Sequence, residues 1–135
     1  YVPNSKYTEI EIFKETFSQK DIKLTIKESD ILELNMDITL CEMLINNLLK
    51  NAFVHNTKNG EIIIKIDKNK TAFCNTGTAF ALNQTQIFNY FYKETKNENS
   101  TGLGLVLIKT ICKKNNLDID YQFIDNKHQF IIAKR

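Results

Sequence analysis

The sequence predicts an α+β two-layer sandwich, with helices on one face of a mixed sheet. Two observations carry this prediction: strand-like segments come in adjacent pairs separated by helical segments, and the longest helical segment has a continuous apolar stripe. Residues 7–17 place Ile10, Phe13 and Phe17 at helical spacing, a short first helix. Residues 21–27 alternate Ile22, Leu24 and Ile26 with Lys23, Thr25 and Lys27, the pattern of a half-buried strand, and residues 31–34 predict a second short strand. Asp37 is placed to cap a long helix running to about residue 55. Its apolar positions Leu40, Leu44, Ile45, Leu48, Leu49 and Ala52 recur at three and four, as a core-facing helix requires. Asn59-Gly60 predicts a tight turn of the hairpin type. Residues 61–67 and 71–75 predict two strands joined by a turn at 67–69. Residues 75–101 are the least regular, with an aromatic cluster (Phe88, Tyr90, Phe91, Tyr92) followed by a polar stretch with the composition of a mobile loop. Residues 103–114 predict a helix with Leu105, Ile108 and Ile111 on one face. Residues 117–124 and 129–133 predict a closing strand pair around a turn at 125–127.

The 135 residues, 42% hydrophobic and 25% charged, have the size and mix of one domain spanning 1–135. A domain of this size buries roughly 70% of the surface its unfolded chain exposes, enough for one core. A net charge of +2 excludes the large basic excess of a sequence-independent nucleic-acid binder. No run approaches the length of apolar chain needed to span a bilayer, and no segment has the pattern of a signal peptide. The first residue is Tyr1 rather than Met, so the chain is expected to be a piece of a longer protein. Cys41, Cys74 and Cys112 are odd in number and far apart, which predicts buried reduced thiols rather than a zinc site or a disulfide framework. Of the 18 basic residues all but Arg135 are lysine. Any phosphate bound here must therefore be held by lysine, backbone amides or a metal rather than by a guanidinium fork.

Four constellations could carry chemistry. Asn47, Asn51 and His55 are spaced by four on the long helix and form one stripe with apolar residues on its flanks. A carboxamide oxygen there is a neutral, hard ligand suited to one position on Mg²⁺; the same stripe would also serve as a polar helix face. Asn75-Thr76-Gly77-Thr78 follows a strand, where a polar side chain can hold the edge of a planar ligand and glycine allows a tight turn; a plain turn has the same composition. Phe88 to Lys93 would be core aromatics, or the base of a lid with Lys93 near a phosphate. Ser100-Thr101-Gly102-Leu103-Gly104-Leu105 precedes a helix, whose exposed N–H groups and positive end favour an anion. This last motif is neither a Walker A loop nor a dinucleotide fingerprint, because the required Lys or third glycine is missing.

Taken in order, the four segments resemble those of the catalytic, ATP-binding domain of sensor histidine kinases. That superfamily includes DNA gyrase, the heat-shock-ninety chaperones and MutL. Asn47 to Asn56 resembles the family's asparagine box, Asn75-Thr76-Gly77 its first glycine box, Phe88 to Phe91 its phenylalanine box, and Thr101 to Leu105 its second glycine box. The resemblance implies a Bergerat-type sandwich binding Mg-ATP under a lid. It implies Asn51 as the Mg²⁺ ligand, Asn47 supporting metal or phosphates, and His55 beside the sugar or base. Asn75 would stand where the family reads adenine, together with Gly77. Phe88, Phe91, Lys93, Thr101, Gly102, Leu103, Gly104 and Leu105 would complete the ATP site. The γ-phosphoryl group would pass to a histidine on a separate dimerisation domain and from there to a response regulator. The whole protein would be a homodimer and a membrane-anchored sensor with this domain, a monomer by itself, in the cytoplasm; residues 1–5 would be the remnant of a linker.

Two positions refine the reading. Relatives that hydrolyse ATP or phosphorylate serine carry a Glu four residues before the metal-binding Asn, as general base. Here that position is Asn47, which cannot abstract a proton, and a neutral imidazole acceptor needs no such base. The first glycine box usually begins with Asp and ends in a second glycine; here Asn75 and Ala79 stand there, and Asn75 is expected to bind adenine more weakly and to reject guanine less. Val54 occupies a position where many relatives place a phosphate-reaching Lys, which leaves Lys93, Lys96 and Lys50 to compensate. These departures keep open an alternative, a degenerate module that binds nucleotide or docks partners without kinase activity. His128, beside the predicted 125–127 turn, is expected to be solvated.

Overall fold

A computed structural model of the chain describes residues 21–78 and 104–135. In chain order the described elements are β1 (Lys23–Glu28), α1 (Ile38–Val54), β2 (Glu61–Ile66), β3 (Lys70–Asn75), α2 (Gly104–Lys114), β4 (Leu117–Ile124) and β5 (Lys127–Lys134). The strands form one sheet in the order β1-β2-β3-β5-β4. β1 runs parallel to β2, and every other pairing is antiparallel. The expected mixed sheet is therefore present. The expected first helix, at 7–17, lies outside the described residues, as do the aromatic cluster and the polar stretch before α2.

Each strand alternates across the sheet, and the buried side of that alternation faces the helices. Ile62, Ile64 and Ile66 of β2, Phe73 of β3, Phe130 and Ile132 of β5, and Leu117 and Tyr121 of β4 join one buried cluster. From above, α1 contributes Leu44, Ile45, Leu48, Leu49, Ala52 and Phe53, and α2 contributes Ile108, Ile111 and Cys112. The three cysteines are buried and reduced. Burial pushes the thiols of Cys41 and Cys112 up to about 12, which keeps them protonated and unreactive.

Local chemistry sets the ends of the elements. The Asp37 carboxylate accepts from the backbone N–H groups of Thr39 (3.1 Å) and Leu40 (3.3 Å), which satisfies two orphan donors of α1. The β4–β5 hairpin closes through Asp125 and Asn126, both left-handed (φ 54° and 60°), with Ile124 paired to Lys127. Two consecutive left-handed residues match the twist of the flanking strands. The predicted strand at 31–34 is absent. Leu32 and Leu34 are buried and Ile31 is 49% exposed, so the alternation is real. It reports burial in one cluster with the residues of α1, whereas a strand also needs a neighbouring edge to pair with, and this segment enters no ladder. No described helix is long and apolar enough to cross a membrane.

Removing the Asp37 cap by Asp37→Ala is expected to cost about 1 kcal/mol. In urea unfolding the midpoint should fall at unchanged slope; a slope that changes with it would mean that the exchange alters more than the helix end.

Candidate functional site

The stripe of α1 is the first wall of the site. The Asn47 amide nitrogen donates to the Met43 carbonyl one turn back at 2.7 Å. A carboxylate could not make that bond, so the side chain at this position is committed as an amide. The bond aims the other atom: Asn47 Oδ1 lies 3.4 Å from where a Cβ on Gly104 would sit. Gly104 is the first residue of α2, so the asparagine stripe and the second glycine motif adjoin, although they are far apart in sequence. Asn51 is half-buried one turn further on. His55 ends the helix (φ −93°, ψ 8°), and its N–H donates to the Asn51 carbonyl at 3.2 Å.

A part-buried network around the Asn56 amide ties the end of α1 to the end of β3. Asn56 donates from Nδ2 to the Glu61 carbonyl at 3.1 Å. Its Oδ1 accepts from the Thr57 N–H at 2.8 Å and from the Thr76 hydroxyl at 2.5 Å. The Thr76 oxygen in turn accepts from the Glu61 N–H at 2.9 Å. Glycine is required beside this network, because a Cβ at Gly60 would lie 2.1 Å from Asn56 Oδ1 and 2.2 Å from Thr76 Oγ1. Gly77 is enclosed in the same way: its Cβ would sit 2.9 Å from the His55 carbonyl oxygen and 3.1 Å from the His128 ring.

Asn75 ends β3 and is 2% exposed. Its Nδ2 donates to the Thr76 carbonyl at 2.8 Å, while its Oδ1 is buried with no donor. A buried acceptor left unbonded costs about 1–3 kcal/mol, and a water or a ligand amine would satisfy it. Asn46 Oδ1, on another face of α1, is also unpartnered, and nothing in the structure explains it.

His128 corrects the sequence reading. It is not solvated but 4% exposed, on β5 opposite Asn75. The hairpin strand starts earlier than predicted, so His128, Phe130 and Ile132 share the core face. Its Nδ1 lies 2.7 Å from the Tyr121 hydroxyl, and its Nε2 2.9 Å from the Thr78 carbonyl oxygen. A carbonyl can only accept, so Nε2 carries the proton and Nδ1 receives the Tyr121 O–H. Burial holds the imidazole below its ordinary value of 6.5, partly opposed by the bond to Thr78.

Of the residues singled out from sequence, Asn47 meets Gly104, and His55 meets Gly77 beside Asn75. Leu105 is half-buried against the core, Lys50 is exposed, and Val54 is buried in the core, which no lysine could replace without cost. Phe88, Phe91, Lys93, Lys96, Thr101, Gly102 and Leu103 lie outside the described residues. Sequence reasoning gave no individual role to Asn56, Thr76 and Thr78, although they stand within its motifs, missed Tyr121, and placed His128 in solvent. For His128 a signal existed, the period of two shared with Phe130 and Ile132. Among the described residues no three His, Cys, Asp or Glu side chains gather as a cation cage. The available oxygen donors on the stripe are neutral carboxamides, which fit a Mg²⁺ held mainly by water and phosphate oxygens.

Residues 36–131 match the family model of the histidine kinase-, DNA gyrase B- and HSP90-like ATPases. The chain is 30% identical over 99 residues to the heme sensor protein HssS of Staphylococcus saprophyticus, covering 70% of this chain and 21% of that protein. It is 30% identical over 122 residues to the sensor protein SrrB of Staphylococcus aureus, covering 73% and 21%. The chain thus spans about one fifth of the length of these relatives. Its fold is similar to that of the mycobacterial sensor histidine kinase MprB (TM-score 0.78, 16% identity, 93% of this chain and 89% of that one). It is also similar to that of the catalytic domain of histidine kinase ThkA (TM-score 0.77, 22% identity, 98% and 92%).

Two outcomes follow from this geometry. Gly77→Ala inserts a methyl group between two rigid neighbours and is expected to destabilise the chain by about 1–3 kcal/mol, seen as a lower thermal midpoint. The depressed His128 pKa makes the unfolded chain bind more protons than the native one below 6.5. Its stabilising contribution is complete above 6.5 and lost as pH falls from there toward the native value. Unfolding titrations at pH 7.5 and 5.5 should show a larger loss in the wild type than in His128→Gln.

Proposed function

We infer the function of this chain from the family to which it belongs, the histidine kinase-, DNA gyrase B- and HSP90-like ATPases. It is the ATP-binding catalytic domain of a sensor histidine kinase, spanning residues 1–135 with 1–5 as the end of a linker. The observation that carries this reading is Asn75, whose buried oxygen lacks a donor. The exocyclic amine of adenine supplies that donor, whereas guanine presents an acceptor at the same edge. The bond from Nδ2 to the Thr76 carbonyl holds the amide in its accepting orientation. ATP is therefore preferred over GTP, by less than a carboxylate would give, because a neutral acceptor bonds more weakly than a charged one.

The remaining residues take roles around the triphosphate. Asn51 ligates Mg²⁺, and Asn47, oriented by Met43, supports the metal or the phosphates through its oxygen. His55 and Gly77 line the sugar and base end. Gly104 and Leu105 at the start of α2 offer backbone N–H groups to phosphate, and the family's motifs assign Thr101, Gly102, Leu103, Phe88, Phe91 and, as compensating cation, Lys93 to the same ATP site. When bound, Mg²⁺ neutralises charge on the phosphate oxygens. In the transfer, the lone pair of a neutral acceptor imidazole forms the N–P bond while the bond from γ-phosphorus to the bridging oxygen breaks. ADP leaves with that electron pair. An amide at Asn47 cannot act as a base to activate water, which favours histidine over water as acceptor. The partners are the phosphoacceptor and dimerisation domain of the same protein, a homodimer, and a response regulator. ThkA has been solved in complex with the response regulator protein TrrA. The domain works on the cytoplasmic side of a membrane-anchored sensor.

Binding of an ATP analogue by calorimetry tests this. Asn51→Ala should bind equally with Mg²⁺ or with EDTA, while the wild type binds more tightly with Mg²⁺. Asn75→Ala should lose about tenfold in ATP affinity and most of the preference over GTP. Mixed with dimerisation helices carrying the acceptor, the chain should form acid-labile phosphohistidine. Steady phosphate release without an acceptor would make it an ATPase, and absence of nucleotide binding would leave a docking module.

A further inference from the structure

We propose that His128 is a positioning residue for nucleotide: its neutral ring supports Gly77 and its Nε2–H holds the Thr78 carbonyl, fixing residues 76–78 beside Asn75. This rests on the ATP-site reading above. Three strands contribute. Tyr121 on β4 donates to Nδ1, the ring stands on β5 in register with Asn75, and the second nitrogen reaches the loop after β3. Phe123 lies against the ring at 4.8 Å between centroids, and Tyr121 stacks at 5.9 Å. The ring therefore has little freedom to tilt.

A space-filling role alone would not call for an imidazole. Phe130 and Ile132 fill the same face of the same strand with apolar groups. Burying a ring with two polar nitrogens is unfavourable unless both are bonded, and here the second bond goes to the one loop that borders Asn75. Gly77 has room only for hydrogen between the ring and the His55 carbonyl. The turn at residues 76–78 is thus held from below by the ring, from the side by the end of α1, and at Thr78 by the Nε2 bond. Ordering it before binding removes an entropic cost that nucleotide would otherwise meet.

The test compares His128→Gln, whose Nε2 reaches about as far as that of imidazole and can donate to Thr78, with His128→Phe, which fills the space without a donor. On the 135-residue chain, His128→Phe should weaken binding of a Mg-ATP analogue about tenfold. His128→Gln should restore most of it, and all three proteins should keep the same ratio of affinities with Mg²⁺ and with EDTA. Nitrogen-15 spectra of the wild-type imidazole should show a neutral ring protonated at Nε2. Equal affinity in all three, or a ring protonated at Nδ1, would overturn the role. Should His128→Phe fail to fold, Tyr121→Phe removes only one hydroxyl. It should weaken binding two- to threefold and alter the Nδ1 signal, and no change in either would equally refute the role. A wild type that binds no nucleotide refutes the ATP-site reading itself, whatever the tautomer; a wild type that binds with variants that match it refutes only the role of His128.

Discussion

The carboxamide of Asn56 holds the end of α1 to the end of β3, and the candidate site depends on that junction. Both ends of the amide are used: the nitrogen on the Glu61 carbonyl, the oxygen on Thr57 and Thr76. Asn56 itself is buried, so breaking one of these bonds leaves a polar atom of its amide unsatisfied. It fixes the height of His55 above Gly77 and the direction in which the chain leaves β3. Asn75, one residue before Thr76, is placed by the same bonds.

Much of this fold could be read from periodicity. Asp37 and the three-and-four spacing from Leu40 to Ala52 foretold α1 and its buried face, and the Ile-rich run after Gly60 foretold β2. The 31–34 segment was misleading because alternation signals which side chains are buried, not whether the backbone has a partner. His128 was misplaced because a polar residue beside a turn was given to solvent, while its strand begins at Lys127 and carries it inward. The stripe of Asn47, Asn51 and His55 and the glycines were visible as types at a spacing. Their convergence was not, because it depends on packing α1 and α2 side by side over the sheet. No single-sequence pattern announces that Asn47 would face Gly104.

The site is also notable for what holds it. The described polar groups are amides, hydroxyls, backbone carbonyls and imidazoles, the His128 ring neutral, rather than carboxylates or ammonium groups. Neutral dipoles are less costly to bury than ions, and they can be oriented ahead of time by bonds within the protein. Asn47 is aimed by Met43, Asn75 by Thr76, and His128 by Tyr121. In the proposed ATP site, charge neutralisation of a triphosphate would thereby fall to a divalent ion and to lysines, in keeping with a chain whose single arginine is its last residue.

The closing hairpin contains none of the sequence signatures of nucleotide binding, yet its His128 ring is the back wall of the Gly77 turn. Transplanting the four signature segments into a relative's scaffold would leave that wall behind. Exchanging the terminal hairpin between two such domains would carry it across, so a chimaera's hold on nucleotide would be set in part by a hairpin that no motif search selects.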